Sequence, residues 1–148
     1  MKRGMMRRLA MPATVVLFAL GIGFGRGKNC QGVYAALAGV PAKARAMRNP
    51  EAGKRTAIAA GKKLFARHCA ECHGEDGGGG RRGPSLRVAP VQRASPGAIF
   101  WILSNGVVRR GMPDWSKLPA PELWQIVTFV QSLPPAARQT PGGRGRSF

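Results

Sequence analysis

Acidic side chains are scarce in this 148-residue chain: six Asp and Glu stand against 24 Lys and Arg, a formal charge of +18. Glu51, Glu71, Glu75, Asp76, Asp114 and Glu122 are the whole acidic set, and none is joined by a spare histidine, of which the chain has only two. That leaves no acid–base pair for proton-managing catalysis. Three cysteines are an odd number, so a fully paired disulfide framework is excluded within one chain. Alternating β-branched runs are nearly absent, while the apolar runs that occur have helical spacing, which predicts a small all-helical domain with long loops. The basic residues are not interleaved with aromatics, so the charge does not make a nucleic-acid stacking platform. It reads either as a generally basic, solvated surface or as one that steers toward a partner with an acidic docking face, and composition does not choose between them.

Two of the three cysteines fall in Cys69-Ala70-Glu71-Cys72-His73. C-x-x-C-H is the attachment pattern of a c-type haem. Two thiols three residues apart can each add to one vinyl group, and the next residue, His73, is then placed to bind the iron. A zinc site would need four ligands, and neither His68 nor Cys30 is placed to complete one. A thioredoxin-like pair would need strand–helix–strand surroundings that this sequence lacks. Haem attachment is usually completed outside the cytoplasm, which predicts a periplasmic or extracytoplasmic protein.

The chain start fits that compartment. Residues 1–8 are basic and 9–25 form an apolar stretch of 17 residues, so 1–38 read as a signal peptide or N-terminal membrane anchor. Ala36-Leu37-Ala38 offers one cleavage site and Gly23-Phe24-Gly25 another. Cys30 reads as a free thiol in this non-core segment. Residues 39–53, with two prolines and no useful periodicity, read as a linker; 54–135 form the domain; and 136–148, rich in Pro, Gly and Arg, read as a disordered basic tail.

Three helices are legible in the domain. The first spans 56–70, with Thr56 as N-cap. The second has Ser95 as N-cap, Pro96 at its first position and Asn105-Gly106 as its end. The third begins near Pro121-Glu122 and stops at Pro134. Between the first two, Gly77-Gly78-Gly79-Gly80 excludes regular structure.

A haem iron bound by His73 has a second face to fill. Met1, Met5, Met6 and Met11 belong to the leader, Met47 to the linker, and His68 shares a helix with Cys69. Only Met112 remains, in Gly111-Met112-Pro113, 39 residues after His73. His73 and Met112 are therefore the expected metal ligands, with Lys117 or an open position as the alternatives.

These motifs, with Gly61 and Phe65, Gly83-Pro84-Ser85-Leu86, Asp114-Trp115 and the run from Leu123 to Val130, resemble the class I monohaem cytochromes c. The bacterial periplasmic and oxidase-associated members are the most similar, and the likeness extends over 57–133. The resemblance implies first and last helices crossing near right angles at Gly61, with Phe65 and Trp124 or Phe129 around the crossing. It implies that the Pro84 carbonyl accepts a hydrogen bond from His73, that Leu86 packs on the haem, and that Trp115 lies on the haem or near its propionates; ordinary core is the alternative for Leu86 and Trp115. It leaves Arg81 and Arg82 either at a haem propionate or in water. The function implied is one-electron transfer between respiratory or dehydrogenase partners, by a monomer or a subunit of a respiratory complex. An open sixth position would instead suit a haem enzyme or gas sensor.

Overall fold

Ser95 sits immediately before a proline and a run of apolar residues, and in the computed structural model it begins a helix there. Its side chain accepts from Ala98 N–H at 3.3 Å, and Pro96 opens the helix Pro96–Asn105 without needing the N–H it lacks. The structure describes residues 30–136, with side chains from 34. The order is α1 (Cys30–Ala38), α2 (Ala42–Arg45), α3 (Arg55–His68), α4 (Ala70–His73), α5 (Ala89–Gln92), α6 (Pro96–Asn105), a 3-10 turn (Val108–Arg110) and α7 (Ala120–Ser132). The described residues form no strand, only an isolated bridge between Val107 and Met112. None of their helices is long and apolar enough to cross a membrane. The expected leader start, its apolar run and the tail beyond 136 lie outside the described residues.

The two long helices α3 and α7 meet at Gly61. A Cβ there would lie 2.0 Å from Gln125 O and 2.9 Å from Phe129 Cβ, so only glycine permits this approach. Phe65, one turn on, packs its ring against Phe129 with centroids 5.1 Å apart. Trp124 instead stacks on Phe100 of α6, at 4.2 Å. α7 is apolar on nearly all sides and is correspondingly buried from Leu123 to Val130, apart from Gln125.

Two sequence expectations need correcting. The first helix begins one residue early, after Lys54, and Thr56 caps nothing: no side-chain hydrogen bond closes that end. The helix then ends at His68, and Cys69 leads into a separate turn, α4.

The segment 39–53 does not behave as a linker. Val40 and Ala44 are buried against Ala98, and a Cβ on Gly97 would lie 2.0 Å from Ala44 O. Asn49 Nδ2 donates to Thr128 Oγ1 at 2.8 Å, while its Oδ1 accepts from Glu51 N–H. Thr128 in turn donates to Trp124 O. Small alanine-rich residues carry too little periodicity to reveal this docking from sequence. Nor is all of 1–38 separate from the fold, because Tyr34 and Leu37 of α1 pack against the main core.

Asn49→Ala in the haem-loaded protein should therefore cost about 1–2 kcal/mol, the value of a buried hydrogen bond whose partner stays behind. Chemical denaturation measures it; a free linker would give no change.

Candidate haem-binding site

Cys69 continues the hydrogen bonding of α3 through its N–H to Phe65 O at 2.8 Å, and its own carbonyl accepts from Cys72 N at 3.1 Å and His73 N at 3.0 Å. One helical turn therefore carries both cysteines and the histidine, with Cys69 and Cys72 three residues apart on the same side. Both thiols are free. Burial, and secondarily the neighbouring Cys72, pushes the Cys69 thiol up to about 12. A thiolate for zinc or for disulfide exchange requires a shift in the opposite direction. The apolar surroundings suit a neutral sulfur.

The glycine-rich loop expected to be irregular folds back onto this turn. Gly79 N–H donates to His73 O, and Leu86 N–H to Gly77 O, each at 2.8 Å. Gly83 passes so close that a Cβ would sit 2.8 Å from Cys72 O and 3.0 Å from His73 Nδ1. That approach places Pro84 O 2.8 Å from His73 Nδ1. A carbonyl can only accept, so Nδ1 carries a proton, and in the neutral ring Nε2 is the nitrogen with the lone pair.

Met112 follows the 3-10 turn Val108–Arg110. Val107 N–H donates to Met112 O at 2.9 Å, and Met112 N–H returns to Val107 O at 3.3 Å. Trp115 N–H donates to Leu103 O at 2.8 Å, which ties the segment to α6. The Trp115 ring meets His68, centroids 5.1 Å apart.

All seven residues singled out in the sequence line one cavity of about 660 Å³: Cys69, Cys72, His73, Pro84, Leu86, Met112 and Trp115. The volume lies within the range of small-molecule sites, on the order of 300–1,000 Å³. Phe65, Val91, Ile99, Leu103, Ile126 and Val130 add apolar walls. Two neighbouring thiols, an imidazole with a free Nε2, a thioether and apolar walls form a donor set and shape that fit a covalently held haem. Lys117 is not among the lining residues. Arg81, Arg82 and Arg110 are, and Arg82 pairs with Glu71.

Sequence reading missed Tyr34, which also lines the cavity and whose hydroxyl donates to Ser85 O at 2.8 Å. A single tyrosine just beyond an apolar leader carries no signal of such a role. It missed Arg110 as well, because an arginine in an irregular segment reads as solvated.

Asp76 anchors the glycine loop. Its carboxylate accepts from Gly78 N–H at 2.9 Å and pairs with Arg87 at 2.7 Å, and these hold its pKa below the usual value, the backbone hydrogen bond most strongly. The anchor is thus complete above the ordinary aspartate pKa and is lost as pH falls through the lowered one. Followed by NMR, the Gly78 amide shift should titrate with a midpoint below that of an unperturbed aspartate.

No curated protein matches this chain significantly. Among solved structures, cytochrome CL from the marine methylotrophic bacterium Methylophaga aminisulfidivorans MPT is similar at 27% identity and a TM-score of 0.49; the match covers 57% of this chain and 60% of that one. The family described as cytochrome C oxidase, cbb3-type, subunit III matches residues 56–130, from the second residue of α3 to near the end of α7. The chain belongs to that family of c-type cytochromes.

Proposed function

We propose that the chain carries one electron at a time outside the cytoplasm, through a single haem c that Cys69 and Cys72 would hold covalently and whose iron His73 and Met112 would bind. The observation that carries this reading is the hydrogen bond from His73 Nδ1 to Pro84 O, which leaves Nε2 free in the cavity that Met112 also lines. The bound haem would supply a one-electron Fe(III)/Fe(II) couple. The protein contributes the rest. Pro84 O fixes the imidazole tautomer and increases its donor strength. With haem bound, the Met112 thioether would favour the reduced state, and the apolar walls would disfavour the extra positive charge of the oxidised one. Leu86 and Trp115 exclude water from the cavity walls.

Arg81, Arg82 and Arg110 around the cavity support docking by redox partners with acidic faces. The family's description as an oxidase subunit favours a second reading, in which the chain is permanently bound in a respiratory complex. The basic start and apolar run at 1–25 support export, with cleavage or retention as an anchor. Cleavage after Ala36-Leu37-Ala38 would remove Tyr34, so processing upstream of Tyr34, or retention as an anchor, fits the packed α1 better.

Intact mass of the exported protein should equal the polypeptide plus one haem; a mass without haem overturns the proposal. Met112→Ala should abolish the long-wavelength absorption band of a methionine–iron bond, shift the iron toward high spin and lower its potential. An unchanged spectrum would remove Met112 from the ligand set.

A shuttle held by the arginine rim should lose its partner as ionic strength rises and the Debye length falls from ~10 Å at 0.1 M to ~3 Å at 1 M. Copurification with an oxidase that survives 1 M salt would favour the permanent-subunit reading.

A further inference from the structure

Three consecutive carbonyls in the loop beside His73 are each taken by a side chain from a different element. His73 of α4 donates to Pro84 O, Tyr34 of α1 to Ser85 O, and Gln92 of α5 to Leu86 O, all at 2.8 Å. Peptide units are planar, so the orientation of one carbonyl constrains its neighbours through the two soft dihedrals between them. Turning the Ser85 carbonyl toward water would pull on the Pro84 carbonyl that orients the imidazole. Of the three donors only Tyr34 lies outside the family-matched residues 56–130. It comes from a helix that the sequence assigns to the leader, yet its ring lines the same cavity as His73.

We propose that Tyr34 is a positioning residue for His73: by holding Ser85 O, its hydroxyl fixes the Pro84 carbonyl, and through it the tautomer and donor strength of the imidazole. The proposal rests on the reading above that His73 is an iron ligand. Its consequence is that a segment outside the family-matched region adjusts the proximal side of the haem. Loss of the hydroxyl leaves the half-buried Ser85 O without this donor and lets the loop relax, which weakens the His73–Pro84 hydrogen bond. A less strongly donating imidazole stabilises the oxidised iron less, so the potential rises.

The test compares wild type, Tyr34→Phe and Thr128→Val as haem-loaded proteins. Phe keeps the ring and its packing. Thr128→Val breaks a buried hydrogen bond with Asn49, which involves none of the three loop carbonyls, and serves as the control for general destabilisation. In the reduced protein, NMR exchange of the His73 ring N–H should be about fivefold faster in Tyr34→Phe, as expected for one lost neutral hydrogen bond. Its reduction potential should be higher than that of wild type. Thr128→Val should move neither. Haem-loaded Tyr34→Phe with both readouts at wild-type values overturns this proposal alone, as does Thr128→Val shifting them equally. A wild-type mass without haem overturns the electron-carrier reading and this proposal with it.

Discussion

The contact between Gly61 and the backbone of Gln125 is the constraint on which the rest of this fold depends. It sets how closely α3 and α7 approach, and those two helices give the cavity Phe65, His68, Ile126 and Val130. α3 runs on through Phe65 to Cys69, so the crossing fixes where the cysteine turn begins. α7 supplies Ile126 and Val130 to the cavity walls and packs Phe129 against Phe65 of α3. Any side chain at Gly61 would have to displace backbone, not a flexible neighbour. Overpacking of this kind typically costs ~1–3 kcal/mol, and here it would also move the attachment turn relative to its opposing wall.

Much of this was legible because the chemistry is local. Ser95-Pro96 and Asn105-Gly106 bracket a helix by rules that need no tertiary information, and the structure begins and ends α6 at those residues. The Cys69–His73 turn, likewise, is defined by spacing alone. What was not legible depends on partners distant in sequence. Asn49 looks like any loop asparagine until Thr128 is placed beside it, and Ala44 has no periodicity to announce that Gly97 will receive it. Tyr34 is the extreme case. Its partner, Ser85 O, is a backbone atom 51 residues away, and backbone atoms leave no residue-specific trace in a sequence.

Thr56 failed as a cap for a related reason. A threonine before an apolar run satisfies the local rule, but the helix gains another residue when Lys54 takes the extended N-cap conformation and its carbonyl accepts from Ile58 N–H. Capping preferences are worth about 1 kcal/mol and yield to packing of that size. Beside a buried face containing Ala57, Gly61 and Phe65, the packing term is the larger one.

The same loop that shapes the histidine's surroundings is also the most polar part of the site, and the two properties are connected. A glycine-rich segment can approach Cys72 and His73 closely, but it brings many backbone N–H and C=O groups with it, and each must find a partner. The structure meets that demand with Asp76 at Gly78, Tyr34 at Ser85 O and Gln92 at Leu86 O. Among the described residues no buried side-chain polar atom is left unpartnered. Rigidity at His73 is thus obtained from side chains on the loop itself, on α5 and on α1, not from regular secondary structure. For the proposed electron carrier this would matter, because an imidazole held in one tautomer and one orientation would change little as the charge beside its Nε2 changed.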